Sequence, residues 1–368
     1  MKFRCERDVL VEVLQTAGRA VASRGGALPV LSGIRLEVDG DMLHVAGTDL
    51  DLTSQAHATV AGALDGVTVV PARLVVDIVR ALEPGAVSVD TDDEELRISA
   101  GRSQFSVRTL VAGEFPRLPE PAGEDLTLPA EGLAEALRQV VRAASGEDAR
   151  PILTGVLMTA EEGSLRLVAT DSYRLAVRDL AGTEILREGQ RVLVPSRALA
   201  EVQRLLTSAG TGGRVGLRLG EHDATFDVGG VRITTRLIEG EFPNYRQLIP
   251  QSYPNRLIVG REPLLDAIRR VKLLVKDATT PVKLSLRADG VELTVTSSDV
   301  GVATEDIDAK YEGTEMTVAF NPTYLIDGVE AITGDEVQLE TLDALKPATL
   351  RPTEGSDYLY LLMPVRVS

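Results

Sequence analysis

The sequence repeats its landmarks, and this repetition constrains the fold more than any other feature. Gly-Glu-Phe-Pro at 113–116 recurs at 240–243, and Val-Pro-Ala-Arg at 70–73 recurs as Val-Pro-Ser-Arg at 194–197. Phe-Asn-Pro-Thr at 320–323 is a degenerate third copy of the second landmark. Because these landmarks keep one order at spacings of about 125 residues, we interpret the chain as three homologous domains.

Further matched segments support this division. Leu-Pro-Val-Leu-Ser-Gly at 28–33 matches Arg-Pro-Ile-Leu-Thr-Gly at 150–155, and we interpret 280–284 as a weaker third copy. Each segment is followed by a strand that ends in a similar step, at 47–49, 169–171 and 297–299. Stretches near residues 123 and 251 carry Pro and Gly, which is typical of connections. The predicted domains are 1–123, 124–250 and 251–368.

Each domain has the same predicted order of elements. A short strand, such as 126–128 or 257–259, is followed by a window with apolar residues at helical spacing. Alternating strands come next, and a second helix then begins at a proline such as Pro195, which is well placed in a first turn. Three or four more strands complete the domain. This order predicts a β-rich α+β fold in which two helices pack against antiparallel sheets.

The charge and the composition exclude several classes of function. The 368 residues hold 39 Lys and Arg against 55 Asp and Glu, so the formal net charge is −16. Any contact with nucleic acid must therefore come from a segregated basic surface. With 6 Phe, 7 Tyr and no Trp, recognition of single strands by stacking is not expected. No apolar run has the length of a membrane span and no signal peptide is visible, which predicts a soluble cytoplasmic protein.

The common catalytic and ligand-binding motifs are missing. There is neither a phosphate-binding loop nor a nucleophile elbow, and His44, His57 and His222 lack spaced metal-binding partners. Cys5, the single cysteine, lies on a predicted first strand and is a poor candidate nucleophile. The acidic run at 90–95 is interpreted as a hairpin turn and 210–215 as a helix-to-strand connection. We therefore expect no catalytic residue, no metal site and no cofactor.

Basic residues recur at matched positions on the predicted helices. Arg73 and Arg80 are seven residues apart in the first domain, and Arg197 and Arg204 occupy the matching places in the second. Seven residues are about two helical turns, so each pair lies on one face. A solvated surface would explain one such helix, whereas the repetition favours a surface that contacts phosphates. The candidate residues for such a phosphate-facing surface are Arg24, Arg73, Arg80, Arg138, Arg142, Arg197, Arg204, Arg269, Arg270 and Lys272.

Five segments, in order along essentially the whole chain, together resemble the bacterial DNA polymerase III beta subunit family, the sliding clamps. They are 28–31, 169–175, 240–245, 320–324 and 360–366. The resemblance implies a head-to-tail homodimer that forms a pseudo-sixfold ring, with helices lining a central hole around double-stranded DNA. It also implies a processivity factor that has no catalytic activity. Flexible basic side chains on helices suit this task, because contacts to phosphates carry no sequence information.

The resemblance further implies a groove for partner peptides between the second and third domains. Its partners would be the replicative DNA polymerase alpha subunit, the clamp loader delta subunit and other replication and repair proteins with a clamp-binding motif. The family often has an aromatic residue near Thr279, and some members have arginine at Gln247, so part of the groove is expected to differ here. By position, the groove residues are Leu153, Thr170, Ser172, Tyr173, Arg174, Leu175, Pro243, Gln247, Leu248, Asn321, Tyr324, Leu345, Pro347, Leu361, Leu362, Met363, Pro364, Val365 and Arg366.

The resemblance also implies a dimer contact with an apolar centre and a charged rim. Its central residues would be Phe105 and Val107, on a late strand of the first domain, and Leu273 and Leu274, at the end of a basic helix of the third. The alternative is that both leucines, like 361–363 at the end of the chain, are ordinary core residues.

Two other classes of function stay open. One is a repeat-built scaffold that binds peptides without encircling DNA. The other is an enzyme that uses carboxylates such as Asp49 and Asp171. Because these two aspartates occupy equivalent places in two repeats, they indicate turns at strand ends and not one active site.

Overall fold

The computed structural model describes residues 1–22, 28–92, 94–183, 185–210, 213–277, 279–355 and 357–366. The chain divides into two compact units, each of which takes two stretches of the sequence. Unit 1 comprises Met1–Glu131 and Glu201–Leu237, and unit 2 comprises Gly132–Ala200 and Ile238–Ser368. The middle repeat therefore contributes strands to both units, whereas the predicted domain boundaries follow the repeats.

Six α-helices occur in these residues, two for each repeat, as the sequence predicts. The helical spacing of Leu133, Leu137 and Val140 places all three in the core. Proline stands at or just before the start of the second helix in every repeat, where its missing N–H costs nothing. The helices are α1 (Arg7–Gly18), α2 (Ala72–Ala81), α3 (Ala130–Val140), α4 (Ser196–Ala209), α5 (Arg261–Val271) and α6 (Pro322–Ala331).

The strands of the described residues form antiparallel ladders, which confirms the predicted fold class. In chain order they are β1 (Lys2–Glu6), β2 (Gly33–Asp39), β3 (Met42–Thr48), β4 (Leu52–Thr59), β5 (Ala61–Leu64), β6 (Gly66–Pro71), β7 (Ala86–Thr91), β8 (Glu95–Ala100), β9 (Ser103–Arg108), β10 (Asp125–Pro129), β11 (Gly155–Glu161), β12 (Ser164–Thr170), β13 (Arg174–Ala181), β14 (Arg191–Pro195), β15 (Arg214–Leu219), β16 (Asp223–Val228), β17 (Val231–Arg236), β18 (Asn255–Gly260), β19 (Val282–Arg287), β20 (Gly290–Ser297), β21 (Gly301–Glu312), β22 (Met316–Phe320), β23 (Glu336–Thr341), β24 (Ala348–Pro352) and β25 (Tyr358–Leu362).

Unit 1 contains two sheets and unit 2 one long sheet. The sheets of unit 1 have the strand orders β5-β1-β7-β8-β9 and β10-β15-β16-β17-β4-β3-β2-β6. The sheet of unit 2 has the order β14-β11-β12-β13-β25-β24-β23-β18-β21-β20-β19-β22. Within these sheets β4 pairs with β17 and β13 pairs with β25, so neighbouring repeats are joined by backbone hydrogen bonds.

A backbone hydrogen bond that occurs three times confirms the repetition. The N–H of Leu110 donates to the Val69 carbonyl at 2.7 Å, and the N–H of Ile238 donates to the Leu193 carbonyl at 2.9 Å. The third copy is the bond from the Val365 N–H to the Ala319 carbonyl at 2.7 Å. In this way the last residues of the chain are the third-repeat counterpart of the segments that precede Gly-Glu-Phe-Pro in the first two repeats.

One predicted alignment is wrong. Val282 pairs with Phe320 as Ile34 pairs with Val70, so Val282 is the counterpart of Ile34 and not of Val30. The match of 280–284 to the segment at 28–32 is therefore out by four residues. The prolines of the first two copies begin 3-10 helices, Pro29–Ser32 and Pro151–Thr154, whereas β19 starts one residue after the proline of the third.

The recurrent aspartates form turns, as the sequence predicts. Asp49 accepts hydrogen bonds from the N–H groups of Asp51 and Leu52, and Asp171 does so from Tyr173 and Arg174. Leu50 and Ser172 have φ values of 84° and 80° in these turns. The step at 297–299 differs, because Ser297 and Gly301 pair directly across a shorter turn.

The acidic run at 90–95 and Cys5 have the structural settings that the sequence predicts. β7 and β8 pair across the acidic run, which is therefore a hairpin turn, with Asp93 outside the described residues. Cys5 lies on β1, where burial and then the charge of Glu6 raise the pKa of its thiol to about 11 and disfavour the reactive thiolate. No helix in the described part of the chain is long and apolar enough to cross a membrane.

Candidate functional site

The predicted peptide groove lies in unit 2, where β13 pairs with β25. Leu175 stands opposite Leu361 and Val177 opposite Leu359, so both cross-strand pairs on this face of the sheet are apolar. These side chains belong to one buried cluster on a single face of the sheet, which Tyr245 covers. Burial of such a cluster contributes roughly 25 cal/mol for each Å² of apolar surface removed from water.

The end of the chain ties the middle repeat to the third repeat beside this cluster. The N–H of Met363 donates to the Tyr173 carbonyl at 2.9 Å, two residues before the bond from Val365 to Ala319. The Met363 side chain is 38% exposed, although the two leucines before it are buried. The segment after β25 is therefore held along its backbone while it presents a flexible apolar side chain to the surface.

The predicted groove residues fall into three groups by exposure. Those with exposed side chains are Ser172, Tyr173, Pro243, Gln247, Leu248, Leu345, Met363 and Arg366. Those that are half-buried are Asn321, Tyr324, Pro347, Pro364 and Val365. The buried ones are Leu153, Thr170, Arg174, Leu175, Leu361 and Leu362.

The buried group includes three leucines whose side chains have almost no free surface in the single chain. Leu175, Leu361 and Leu362 are each 1% exposed, and the first two belong to the buried apolar cluster that includes Tyr245. Leu175 and Leu361 therefore lie in the core beneath the predicted groove, whereas Leu362, the next residue of β25, points to the opposite face of the sheet. The exposed apolar side chains around them, Tyr173, Leu248 and Met363, are the ones available to another molecule.

Arg174 is the electrostatic centre of this region. It is 9% exposed, and its Nε lies 3.0 Å from Asp171 Oδ2 while its Nη1 lies 2.5 Å from Asp327 Oδ2. Its guanidinium carbon stands 4.3 Å from the centre of the Tyr324 ring, within cation–π distance. Burial opposes the charged form, but Tyr360 and Asp327 outweigh it and raise the pKa of Arg174. Arg174 is thus a cation held in place beside the Tyr324 ring.

Sequence patterns missed several residues that hold this arrangement. Asp327 lies on α6, three residues after Tyr324, and a helical projection could have placed both on one face. Tyr360 accepts from Arg174 at 3.4 Å and donates to the Tyr324 carbonyl at 2.9 Å. Arg150 donates to the Ser172 hydroxyl at 3.0 Å. No pattern in the sequence indicates these long-range contacts.

Asn321 has a structural role in addition to any contact with a ligand. Its side-chain oxygen accepts hydrogen bonds from the N–H groups of Thr323 and Tyr324, at 2.9 and 3.2 Å. It is therefore the N-cap of α6, a position that asparagine favours. The cap fixes the first turn of the helix that carries Tyr324 and Asp327.

The basic residues of unit 1 lie on helix surfaces, as predicted. Arg73 and Arg80 are exposed on α2, and with Arg19, which directly follows α1, they line a cleft of about 290 Å³. Arg19 was not among the predicted residues. Arg80 lies 3.4 Å from Asp77, and Arg204 of α4 lies 2.9 Å from Glu201. Arg24 lies outside the described residues.

The basic residues of unit 2 are more strongly paired. Arg138 donates to the carbonyls of Glu330 and Ala331, at 2.9 and 3.1 Å, and so caps the end of α6. Arg142 and Arg269 both reach the Glu330 carboxylate at 2.8 Å. Burial alone would raise the pKa of Glu330, but its hydrogen bonds from Arg269 and Arg142 lower it.

The remaining predicted cations differ in their exposure. Arg270 makes two hydrogen bonds to Glu305, at 2.8 and 2.9 Å, and is exposed, as is Arg197. Lys272 is half-buried. Glu330 occupies the place that Arg80 and Arg204 hold in the first two repeats, so the second helix of the third repeat does not continue their basic pattern.

Two of the predicted dimer residues lie on a strand at a sheet edge, and the other two lie on a 3-10 helix, Lys272–Leu274, in unit 2. β9 is the last strand of its sheet, and Phe105 on it is 40% exposed. β21 pairs with β20 over 301–308 but with β18 only over 309–312, so its first half has one partner among the described strands. Leu273 is 82% exposed and Leu274 is half-buried. Val107 is 5% exposed, although Phe105, two residues before it and on the same face of β9, is exposed. Val107 is thus a core residue of the single chain.

Within the residues described, no group of three or more His, Cys, Asp or Glu side chains is arranged to hold a metal ion.

The chain is similar over its full length to proteins of one family. Three family models match consecutive regions: the N-terminal, central and C-terminal domains of the DNA polymerase III beta subunit match residues 1–119, 127–244 and 246–366. The beta sliding clamp of Streptomyces coelicolor is 37% identical over 380 residues, with all of both chains covered. That of Proteus mirabilis is 32% identical, also with all of both chains covered.

Solved structures show the same similarity. The DNA polymerase sliding clamp of Bacillus subtilis superposes with a TM-score of 0.88 at 30% identity over all of both chains. A sliding clamp of Bartonella birtlesii, solved bound to griselimycin, gives a TM-score of 0.90 at 32% identity, again over all of both chains.

A pair of tyrosines tests the polar contacts of the site. Tyr360→Phe removes the hydrogen bond to the Tyr324 carbonyl, and we expect it to cost about 1–2 kcal/mol of stability. Tyr358→Phe is the matched control, because the fully buried Tyr358 hydroxyl has no hydrogen-bond partner among the described residues. We expect this change to be neutral or stabilising. Thermal unfolding midpoints measure both, and equal midpoints for the two variants would contradict the assignment.

Proposed function

The chain belongs to the DNA polymerase III beta subunit family of sliding clamps, and from this premise we propose that it encircles duplex DNA as a head-to-tail homodimer and tethers replication proteins through its groove. The observation that carries the proposal concerns two strand edges, one at each end of the series of repeats. Among the described strands, neither edge has the partner that its counterparts have. The role is that of a processivity factor without catalysis, in the cytoplasm and associated with the nucleoid.

The junctions between repeats supply the template for the dimer. In each junction, the strand after the turn (β4 or β13) pairs antiparallel with the last strand of the next repeat (β17 or β25). The strands without such a partner are β21, which follows the turn of the third repeat, and β9, the last strand of the first. Pairing of β21 with β9 of a second copy would repeat the junction and close a ring of six repeats.

The register of this contact follows from the other junctions. Ser54 stands opposite Ile233, and Ala176 opposite Tyr360, which predicts Ala303 opposite the partner copy's Phe105. Ile233 and Tyr360 are 1% and 2% exposed, so the same pairing would bury the exposed Phe105.

The side chains beside these two edges are complementary. β9 follows Arg102 and ends at Arg108, whereas β21 carries Glu305, Asp306 and Asp308. The exposed Leu273 precedes β21 in the same unit and supplies apolar surface for the centre of the contact. Opposite charges at the rim would favour the head-to-tail orientation over a contact between two like edges.

Contact with DNA would be weak and independent of sequence. The exposed Arg73, Arg80 and Arg197 have the reach and charge to meet phosphates, which carry no base information. Ring closure retains the protein by topology, so tight binding is unnecessary and the net charge of −16 is tolerated.

The groove suits short peptides with apolar anchors. Tyr173, Leu248 and Met363 offer exposed apolar surface, and Arg174 and Tyr324 offer a polar anchor at its side. Such a groove concentrates affinity in a few buried contacts. We propose that the replicative polymerase alpha subunit, the clamp loader delta subunit and other proteins with a clamp-binding motif compete for it.

The second candidate function is a peptide-binding scaffold that does not encircle DNA. The ion pairs of Arg142 and Arg269 with Glu330 favour it, because they give the helices of unit 2 mixed charge. The two candidates differ in whether the protein stays on closed DNA, which the next experiment measures.

We expect the loaded protein to stay on nicked circular duplex and to leave once the circle is linearised, as gel filtration of labelled protein would show. Arg197→Glu with Arg204→Glu should weaken loading on every sequence alike and lower the salt dependence by about one unit for each phosphate interaction that the substitutions remove. Arg97→Glu, on an exposed hairpin strand, is the control. Equal retention on circular and linear DNA would favour the scaffold.

Leu273→Ala with Leu274→Ala should give a folded monomer, because the double variant lacks the exposed apolar surface beside β21. Analytical ultracentrifugation measures the assembly and circular dichroism the fold. Leu345→Ala, at a leucine that is 66% exposed, should leave the dimer intact. An intact dimer or an unfolded chain in the double variant would contradict the proposed interface.

Met363→Ala should weaken binding of a labelled peptide from the replicative polymerase by about 1–2 kcal/mol, as expected for truncating an interface anchor. Removal of residues 363–368 should abolish binding and leave the dimer closed. The control is Leu64→Ala, an exposed leucine of unit 1. Unchanged affinity in the deletion would place the partner site elsewhere, and a dissociated dimer would show that the segment is structural.

A further inference from the structure

An unbroken series of ion pairs connects the groove to the basic helix surface of unit 2. Arg174 binds Asp327 at 2.5 Å, and the other oxygen of Asp327 lies 3.5 Å from Arg142. Arg142 binds one oxygen of Glu330 at 2.8 Å, and Arg269 binds the other, also at 2.8 Å. Cations and carboxylates alternate along the whole series, and every member after Arg174 is on α6 or on a helical segment beside it.

The series runs from the interior to the surface. The side chain of Arg174 is 10% exposed and that of Asp327 19%, whereas Glu330 is 30%, Arg269 49% and Arg142 56% exposed. The groove end is therefore in a low-dielectric environment. Breaking an ion pair there costs free energy, because water does not readily replace the lost partner. The other end is open to solvent and to phosphates.

Each carboxylate of the series binds two arginines, so neighbouring arginines along the series compete for the same carboxylate. A phosphate that binds Arg142 and Arg269 draws their donors away from Glu330 and Asp327. The charge of Asp327 is then stabilised mainly by its ion pair with Arg174. A peptide that engages Arg174 has the reverse effect, because Asp327 then depends more on Arg142.

From these contacts we infer that Asp327 is a positioning residue for the groove, and that Arg142 and Glu330 couple it to the helix surface so that duplex DNA and a groove peptide weaken each other's binding. The inference rests on the proposed function. Coupling between two sites is reciprocal, so either ligand can be used to measure it. The expected size is about fivefold, at the low end of such couplings, because half of the series is exposed to solvent.

The experiment compares the affinity of a fluorescent polymerase-derived peptide for free protein and for protein loaded on nicked circular DNA, by anisotropy titration. We expect the loaded wild type to bind about fivefold more weakly. Arg142→Gln and Glu330→Gln interrupt the series outside the groove, and each should bring the ratio close to one. Asp327→Asn should do the same and should also change the affinity of the free protein. High salt should reduce the wild-type ratio.

Arg256→Gln is the matched control, because it removes the ion pair between the exposed Arg256 and the buried Glu340 elsewhere in unit 2 and should keep the wild-type ratio. Thermal unfolding and sedimentation show whether each variant remains a folded dimer, and Arg142→Gln and Glu330→Gln test the same step independently. A wild-type ratio of one, or a ratio that both variants retain, overturns the coupling alone. A wild type that binds no peptide or leaves the circle overturns the proposed function, and the coupling with it.

Discussion

The pairing of sheet edges between repeats is the interaction on which the rest of the structure depends. A single repeat would expose strands such as β4 and β13 as rows of unpaired N–H and C=O groups, which are templates for aggregation. Each is covered by the last strand of the next repeat, so the compact units cut across the repeats. The same constraint leaves one edge at each end of the series, β9 and the first half of β21. A head-to-tail dimer would satisfy both without creating another edge.

Equivalent junctions have different chemistry, which explains why one groove is expected in each chain. The apolar pair of Val177 and Leu359 in unit 2 corresponds to Gln55 and Arg232 in unit 1. There the same sheet face lines a cleft of about 650 Å³ that also contains charged side chains and Leu118, which takes the place of Tyr245. Polar side chains on the floor of the cleft stay hydrated, so an apolar peptide would gain little free energy of binding there. The backbone pairing is thus shared by the junctions, whereas peptide binding depends on which side chains the floor carries.

Much of the fold could be predicted because repetition and periodicity depend on local sequence. The two helices of each repeat and the turn at Asp171 follow from spacing and from turn chemistry alone. The third copy at 280–284 was misaligned because a short Pro-containing match carries no information about strand register. The groove was predicted from the resemblance, but the burial of Leu361 and the contact between Arg174 and Asp327 depend on residues far apart in the chain. Such contacts leave no local pattern.

The ion pairs of the basic helices bear on how a ring could slide. A guanidinium with a carboxylate nearby, such as Arg80 beside Asp77 or Arg269 beside Glu330, attracts a phosphate less strongly than an isolated one. Each passing phosphate then competes with the nearby carboxylate for the guanidinium. Every contact with a phosphate is therefore weak and quickly exchanged. A protein that depended on affinity for retention could not tolerate this weakening. One that is retained by closure gains from it, because shallow and similar contacts leave small barriers between successive positions along the duplex.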